Sequence, residues 1–162
     1  CESQSGLDGR ILIKNPEIAT YLKKARFQHP RIAWDGPYAH WSKIKDQLQV
    51  LRDAGFRSND IFIFVLFNHA LSYEEMRAKL DACRRWKIRV IDCRFRPLDC
   101  TSDDYKPKAK SQDEDEYYIH KGWTDGQVRA FRRAVRRQNI AILLDLPNGR
   151  YIEGVEKRYI PT

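Results

Sequence analysis

Asp8 and Arg10, two positions apart in Ser5-Gly6-Leu7-Asp8-Gly9-Arg10, are the first pair in this 162-residue chain with side chains fit for polar chemistry. A carboxylate and a guanidinium at a tight turn can hold a charged ligand, or simply pair with each other. Arg94 and Arg96 flank Phe95, so in extended backbone they project to one side and Phe95 to the other. Two guanidiniums side by side suit a carboxylate or phosphate, and salt bridges to Asp92 or Asp99 are their structural use. Asp35, in Trp34-Asp35-Gly36-Pro37, offers a carboxylate that can meet a ligand or cap the turn. Asn68 adds an amide directly after Phe67. Metal chemistry finds less support. Cys1, Cys83, Cys93 and Cys100 are separated by 82, 10 and 7 positions, and no second Cys or His follows at the short spacing of a closed site. His29, His40, His69 and His120 are scattered. No metal site is expected, and Cys83 and Cys93 read as free buried thiols.

These residues need a scaffold. Short apolar runs alternate with amphipathic helical patterns, which predicts βα units and a mostly parallel sheet. Strands are expected at Arg31–Trp34, Ile61–Phe67 and Ile88–Cys93. The middle run, IFIFVLF, is apolar on both faces, as in a central parallel strand covered on both sides. Asn15 with Pro16 behind it predicts a helix start, running to about Arg26. His40–Ala54 buries Ile44, Leu48 and Leu51 and stops at Gly55. Ser72 with Glu75, and Thr124 with Gln127, read as capping boxes. The second opens a helix to about Gln138 that buries Val128, Phe131 and Val135, and Ile140–Leu146 reads as a last strand. Between them, Cys100–Glu116 has almost no apolar side chain to offset the entropy of ordering it, so a mobile loop is expected. The division is a partial α/β barrel over 1–100, an acidic flexible loop over 101–120, and a basic helix and tail over 121–162 that pack on the barrel. Ligands in parallel α/β folds bind at the carboxyl ends of strands, where Asp35, Asn68, Arg94 and Arg96 fall.

Taken in order, GLDGR, IAWD, DIFIFVLFN, RFRPLD and the WT…FRR helix resemble the later half of a radical S-adenosylmethionine (SAM) protein, over about residues 5–140. The resemblance implies a partial (β/α)6 TIM-like barrel, of which this chain holds about four strands, numbers three to six. It also implies a 4Fe-4S cluster bound by a CxxxCxxC motif and by SAM, whose reductive cleavage yields a 5′-deoxyadenosyl radical. Thiolates suit cluster iron, but no such motif stands in this sequence, so the cluster half is expected upstream of Cys1. By the same resemblance Asp8 and Arg10 face the SAM methionyl group or a substrate, and Asp35 the ribose or carboxylate. Asn68 lies against the adenine with Phe67 packed on the ring. Arg94 and Arg96 reach a carboxylate or phosphate of SAM or substrate. The glycine pattern usual at the adenine is absent from VLFNHALS. The substrate and the catalytic residues stay unassigned. The chain alone is expected to be inactive and, with an open sheet edge, to self-associate.

Thirty Lys and Arg against 22 Asp and Glu give a formal charge of +8. No apolar run approaches the roughly 20 residues of a membrane span. Few cysteines and no signal-peptide pattern predict a reducing, cytoplasmic setting. The alternative function is a stand-alone basic α/β module that binds nucleic acid or phosphate without catalysis. Arg129, Arg132, Arg133, Arg136 and Arg137 can follow a phosphate backbone with salt-dependent affinity. The acidic 101–120 stretch, with six acidic and three basic side chains, opposes it.

Overall fold

Three short runs of apolar and β-branched residues pair in parallel in the order β1-β2-β3, in a computed structural model that describes residues 6–146. They are β1 (Arg31–Ala33), β2 (Phe62–Phe67) and β3 (Arg89–Arg94), each within two residues of the bounds the pattern predicts. Helices α1 (Gly9–Lys14) and α2 (Glu17–Lys24) precede β1. Then α3 (Trp41–Asp53) joins β1 to β2, α4 (Tyr73–Arg85) joins β2 to β3, and α5 (Asp125–Leu143) ends the described fold. The fold is mixed α/β. Beside β1, the Leu7 amide donates to the Arg31 carbonyl at 2.6 Å, and Leu7 makes one parallel bridge to Ile32.

The pairing register sorts side chains onto two faces. Ile32, Ile63 and Val90 share one row, and with Trp34, Val65 and Phe67 they are at most 2% exposed. These form one core with Leu48 and Leu51 of α3, Met76 and Leu80 of α4, and Phe131 and Val135 of α5. The other face carries Ala33, Phe64 and Ile91 in one row and Leu66 with Cys93 in the next. There Ala33 is exposed, the other four are half-buried, and all five stand outside the core. Arg89 and Arg31 lie over the Phe62 and Phe64 rings at 4.1 and 5.7 Å. Parallel sheets are ordinarily covered on both faces. Here, among the described residues, β2 is covered on one.

Several local expectations are corrected. Asp8 opens α1 where a turn was expected, its carboxylate accepting from the Arg10 amide at 2.9 Å. Asn15 closes α1, its side chain donating to the Ile11 carbonyl at 3.2 Å, and Pro16 is the N-cap of α2. Ser72 caps α4 as predicted, but the Glu75 carboxylate accepts from the Tyr38 amide at 2.6 Å. The Thr124–Gln127 box forms in both directions. Residues 140–143 continue α5 where a strand was expected. The physical reason is tertiary: just before this run Gln138 donates to the Leu80 carbonyl at 2.9 Å, and the Asn139 side chain accepts from the Val90 N–H at 2.8 Å and donates to the Val90 carbonyl at 2.7 Å, holding α5 in place as it runs on. Among the described residues no helix is long and apolar enough to cross a membrane.

Gly9 is buried where α1 crosses α3. A Cβ there would stand 1.9 Å from Gln47 Oε1 and 2.2 Å from its Cδ, and Gln47 is itself buried. Gly9→Ala is predicted to cost about 1–2 kcal/mol through overpacking, read by urea denaturation.

Candidate functional site

Past the carboxyl ends of β2 and β3, which the Phe95 amide joins by donating to the Phe67 carbonyl at 2.9 Å, one side chain ties the loops together. Asn68, the first residue past β2, is fully buried and in the left-handed region with φ of 59°, which asparagine tolerates better than most residues. Its Nδ2 donates to the carbonyls of Phe95 at 3.2 Å and Tyr118 at 3.0 Å, and its Oδ1 accepts from the His120 amide at 2.9 Å. Both amide protons are thus committed to backbone, and the adenine contact expected of Asn68 has no donor left to make it.

Arg94 turns inward. Its guanidinium pairs with the Asp103 carboxylate, donates to the Tyr118 carbonyl at 3.3 Å, and lies 5.0 Å and 5.3 Å from the Tyr105 and Tyr117 ring centres. Arg96, 59% exposed, stands 3.7 Å from the same carboxylate. The two arginines do share a side, as alternation requires, and their common partner is Asp103. Asp92, one of the two partners weighed from sequence, bonds Arg132 at 3.2 Å. Burial alone would raise the Asp103 carboxyl. The Arg94 bond and charge, the Tyr118 amide and Arg96 outweigh it and leave the group below its ordinary value. A depressed carboxyl contributes stability above its unfolded value and loses it as pH falls through the folded one. Asp103→Asn, which leaves Arg94 facing a neutral group, is therefore predicted to cost about 2–4 kcal/mol at neutral pH. Urea denaturation should show that difference closing as pH drops below 3.8, the ordinary carboxylate value.

The segment 101–120 contains no helix or strand, yet it has anchors that its charge conceals. Arg129, 4% exposed, bonds Asp125, the carbonyls of Lys106 and Ala109, and Gln112 Oε1. Tyr117, 1% exposed, donates its hydroxyl to Asp125 at 2.7 Å. Arg129 and Arg132 of the basic stripe are accordingly committed within the fold.

Asp8 and Arg10 close on each other through two side-chain hydrogen bonds of 3.0 and 2.7 Å. Arg10 holds the Asp8 carboxyl at about 2. The pair lines a surface cleft of about 520 Å³ with Ile11, Ile13 and Lys43, which none of the other four candidates lines. Asp35 is exposed, one residue past the buried Trp34, and its charge is felt by both the Cys93 thiol and the Lys79 ammonium. Of the six predicted residues, then, the structure joins Arg94 and Arg96 through Asp103, places Asn68 beside them as a clamp, and leaves the Asp8–Arg10 pair apart.

Two histidines that sequence reasoning set aside meet at this lip. The His69 ring stands edge-on to Phe95 at 4.3 Å and 5.8 Å from the His120 ring, and Tyr118 completes the cluster 5.9 Å from Phe95. Half-buried imidazoles can accept or donate a proton beside a bound ligand. They are far apart in sequence and are brought together by Asn68, which accepts from the His120 amide, and by the Trp123 indole, whose N–H donates to the His69 and Leu71 carbonyls at 3.1 and 3.0 Å. Lys79, also missed, is fully buried on α4 with its Nζ donating to the Trp34 carbonyl at 2.9 Å and 5.3 Å from the Trp34 ring centre. Burial pushes it down to about 8 against the pull of Glu75 and Asp35.

Among the described residues no three His, Cys, Asp or Glu side chains converge as metal ligands. Cys83 is buried, and Cys93 and Cys100 are half-buried free thiols. Comparison with known protein families, curated proteins and solved structures gives no match.

Proposed function

We propose that this chain forms the later wall of a partial (β/α)6 barrel in a radical SAM enzyme, with β1, β2 and β3 among its six strands. The observation that carries the reading is the one-sided sheet: parallel strands with helices on one face and half-open Phe64, Leu66, Ile91 and Cys93 on the other. A barrel wall has this form, because its inner face is covered only when the remaining strands curl round to enclose it. The ordered series of motifs lies along that wall. IAWD, the VLFN end of β2 and RFRPLD each fall at a strand's carboxyl end.

The described residues do not fit the iron-sulfur cluster, since no three thiolates or other ligands converge in them; the ligands belong to a part of the enzyme outside this sequence. For SAM and substrate, the exposed groups are Asp35 and Arg96 at the strand ends and the Asp8–Arg10 pair in its own cleft, and His69 and His120 supply the lip. Asn68 and Arg94 are positioning residues that hold that lip in shape.

The test is to read the source DNA in frame upstream of Cys1 and express the whole polypeptide. A CxxxCxxC segment at the end of a predicted strand is expected. Anaerobic reconstitution of that polypeptide should then give a reducible cluster by electron paramagnetic resonance, and 5′-deoxyadenosine on reduction with SAM. A complete reading frame without three closely spaced cysteines would sink the proposal.

A further inference from the structure

On the outer side of the helical layer, α4 and α5 leave a groove of about 480 Å³ between them, and five basic against two acidic side chains line it. Its floor is small and apolar. Leu80 comes from α4, and Ala130, Ala134 and Ile142 from one stripe of α5. Arg77, Arg84 and Lys87 form one rim, and Arg133 stands on the other. Arg84 and Lys87 are balanced by Asp81 and Asp145 at 3.0 Å each. Arg77 and Arg133 are exposed and have no ion-pair partner among the described residues.

We propose that this groove docks an acidic amphipathic helix of a partner protein, as a site separate from the strand-end lip. The two parts of the lining select the occupant. A nucleic acid would use the cationic rims but gain nothing from an alanine and leucine floor, and no aromatic side chain lines the groove for base stacking. A helix uses both: small and apolar residues at i, i+3, i+4 and i+7 seat between α4 and α5, and carboxylates flanking that stripe reach the rims. The alanines matter because small floor residues let a third helix axis approach closely. The helical part of this rim, Arg77 to Arg84, is about 10 Å long, and Lys87 extends it just past the end of α4. A partner helix of about three turns spans it.

The probe is a fluorescein-labelled synthetic peptide of about 15 residues, with Leu and Ala on one stripe and Glu on both flanks, titrated by anisotropy at low and moderate salt. Controls are a scrambled peptide of the same composition and a single-stranded oligonucleotide of the same charge. Saturable binding of the amphipathic peptide is expected, at least tenfold tighter than of the scrambled one. The Arg77→Glu, Arg133→Glu double variant should weaken it at least tenfold. If that variant melts differently from the wild type, Arg77→Gln with Arg133→Gln replaces it. Equal binding of the scrambled peptide, displacement by the oligonucleotide, insensitivity to both substitutions, or no saturable binding would each overturn the proposal.

Discussion

Lys79→Met should stabilise the protein by about 1 kcal/mol at neutral pH, an unusual outcome for removal of a fully buried hydrogen-bonded side chain. The ammonium is held at about 8 against an ordinary 10.5, chiefly by burial. Keeping it charged in the folded state at pH 7 therefore costs about 3 kcal/mol. Methionine fills similar volume without that charge but leaves the Trp34 carbonyl without its donor, at about 1–3 kcal/mol. The pH profile carries the signature. Between about 8 and 10.5 the unfolded chain keeps the Lys79 proton while the folded chain has released it, so stability rises with pH by about 1.4 kcal/mol per unit. Cys83 opposes this. Burial pushes its thiol up to about 12 from 9.0, so above 9 the unfolded chain ionises first and stability falls at the same slope. Wild-type stability should climb between pH 8 and 9 and then level. Tyr117, raised above 10.0 by burial and by Asp125, turns the curve down beyond that. Urea denaturation across this range should show no climb in Lys79→Met. The Cys93 thiol, also raised by burial, acts in the same sense as Cys83, so the climb should extend to about 10 in the Cys83→Ala, Cys93→Ala double variant. A wild-type profile flat from 8 to 9 would refute the buried-charge account.

Asn68→Ala should cost about 3–5 kcal/mol, the largest loss expected from any single change near the strand ends. Three backbone groups lose a bond together: the Phe95 carbonyl and the His120 amide lose their side-chain partner, at about 1–3 kcal/mol for each one left buried and unpaired, while the Tyr118 carbonyl keeps Arg94. Alanine also fits the left-handed backbone poorly, so Asn68→Gly should recover only that backbone share, about 1 kcal/mol. Asn68→Asp should do no better than alanine, because it keeps an acceptor for His120 but removes both donors. Thermal melts and amide exchange at His120 read the effect. A variant that lost ligand affinity with an unchanged melt would instead make Asn68 a ligand contact.

The strands were legible in the sequence because hydrophobic periodicity is a local signal: IFIFVLF needs no partner to declare itself, and the caps at Ser72 and Thr124 act over three residues. What failed was governed by partners distant in sequence. The run 140–146 has strand-like composition, yet its first four residues continue α5, which Gln138 and Asn139 hold against Leu80 and Val90. The charge of 101–120 hid Gln112, Tyr105 and Tyr117, which meet Arg129 and Asp125 of α5, and Arg129 was itself read as part of a stripe for a phosphate backbone. In the candidate site the pairing of arginines with a carboxylate was foreseeable, but its identity as Asp103 was not, since loop geometry decides it. The lip histidines lie 51 positions apart, and no spacing rule connects them.

Asn139 carries one more consequence. A carboxamide is chemically a single peptide unit, so by bonding both the N–H and the C=O of Val90 the side chain counterfeits one residue of an adjoining strand. The forgery is anchored on a helix and cannot be extended. Another chain arriving to lengthen the sheet at β3 finds its first docking point taken by a group that offers no continuing backbone to follow. Growth of the sheet is thereby biased toward the β1 side, where Leu7 has already begun the next rung.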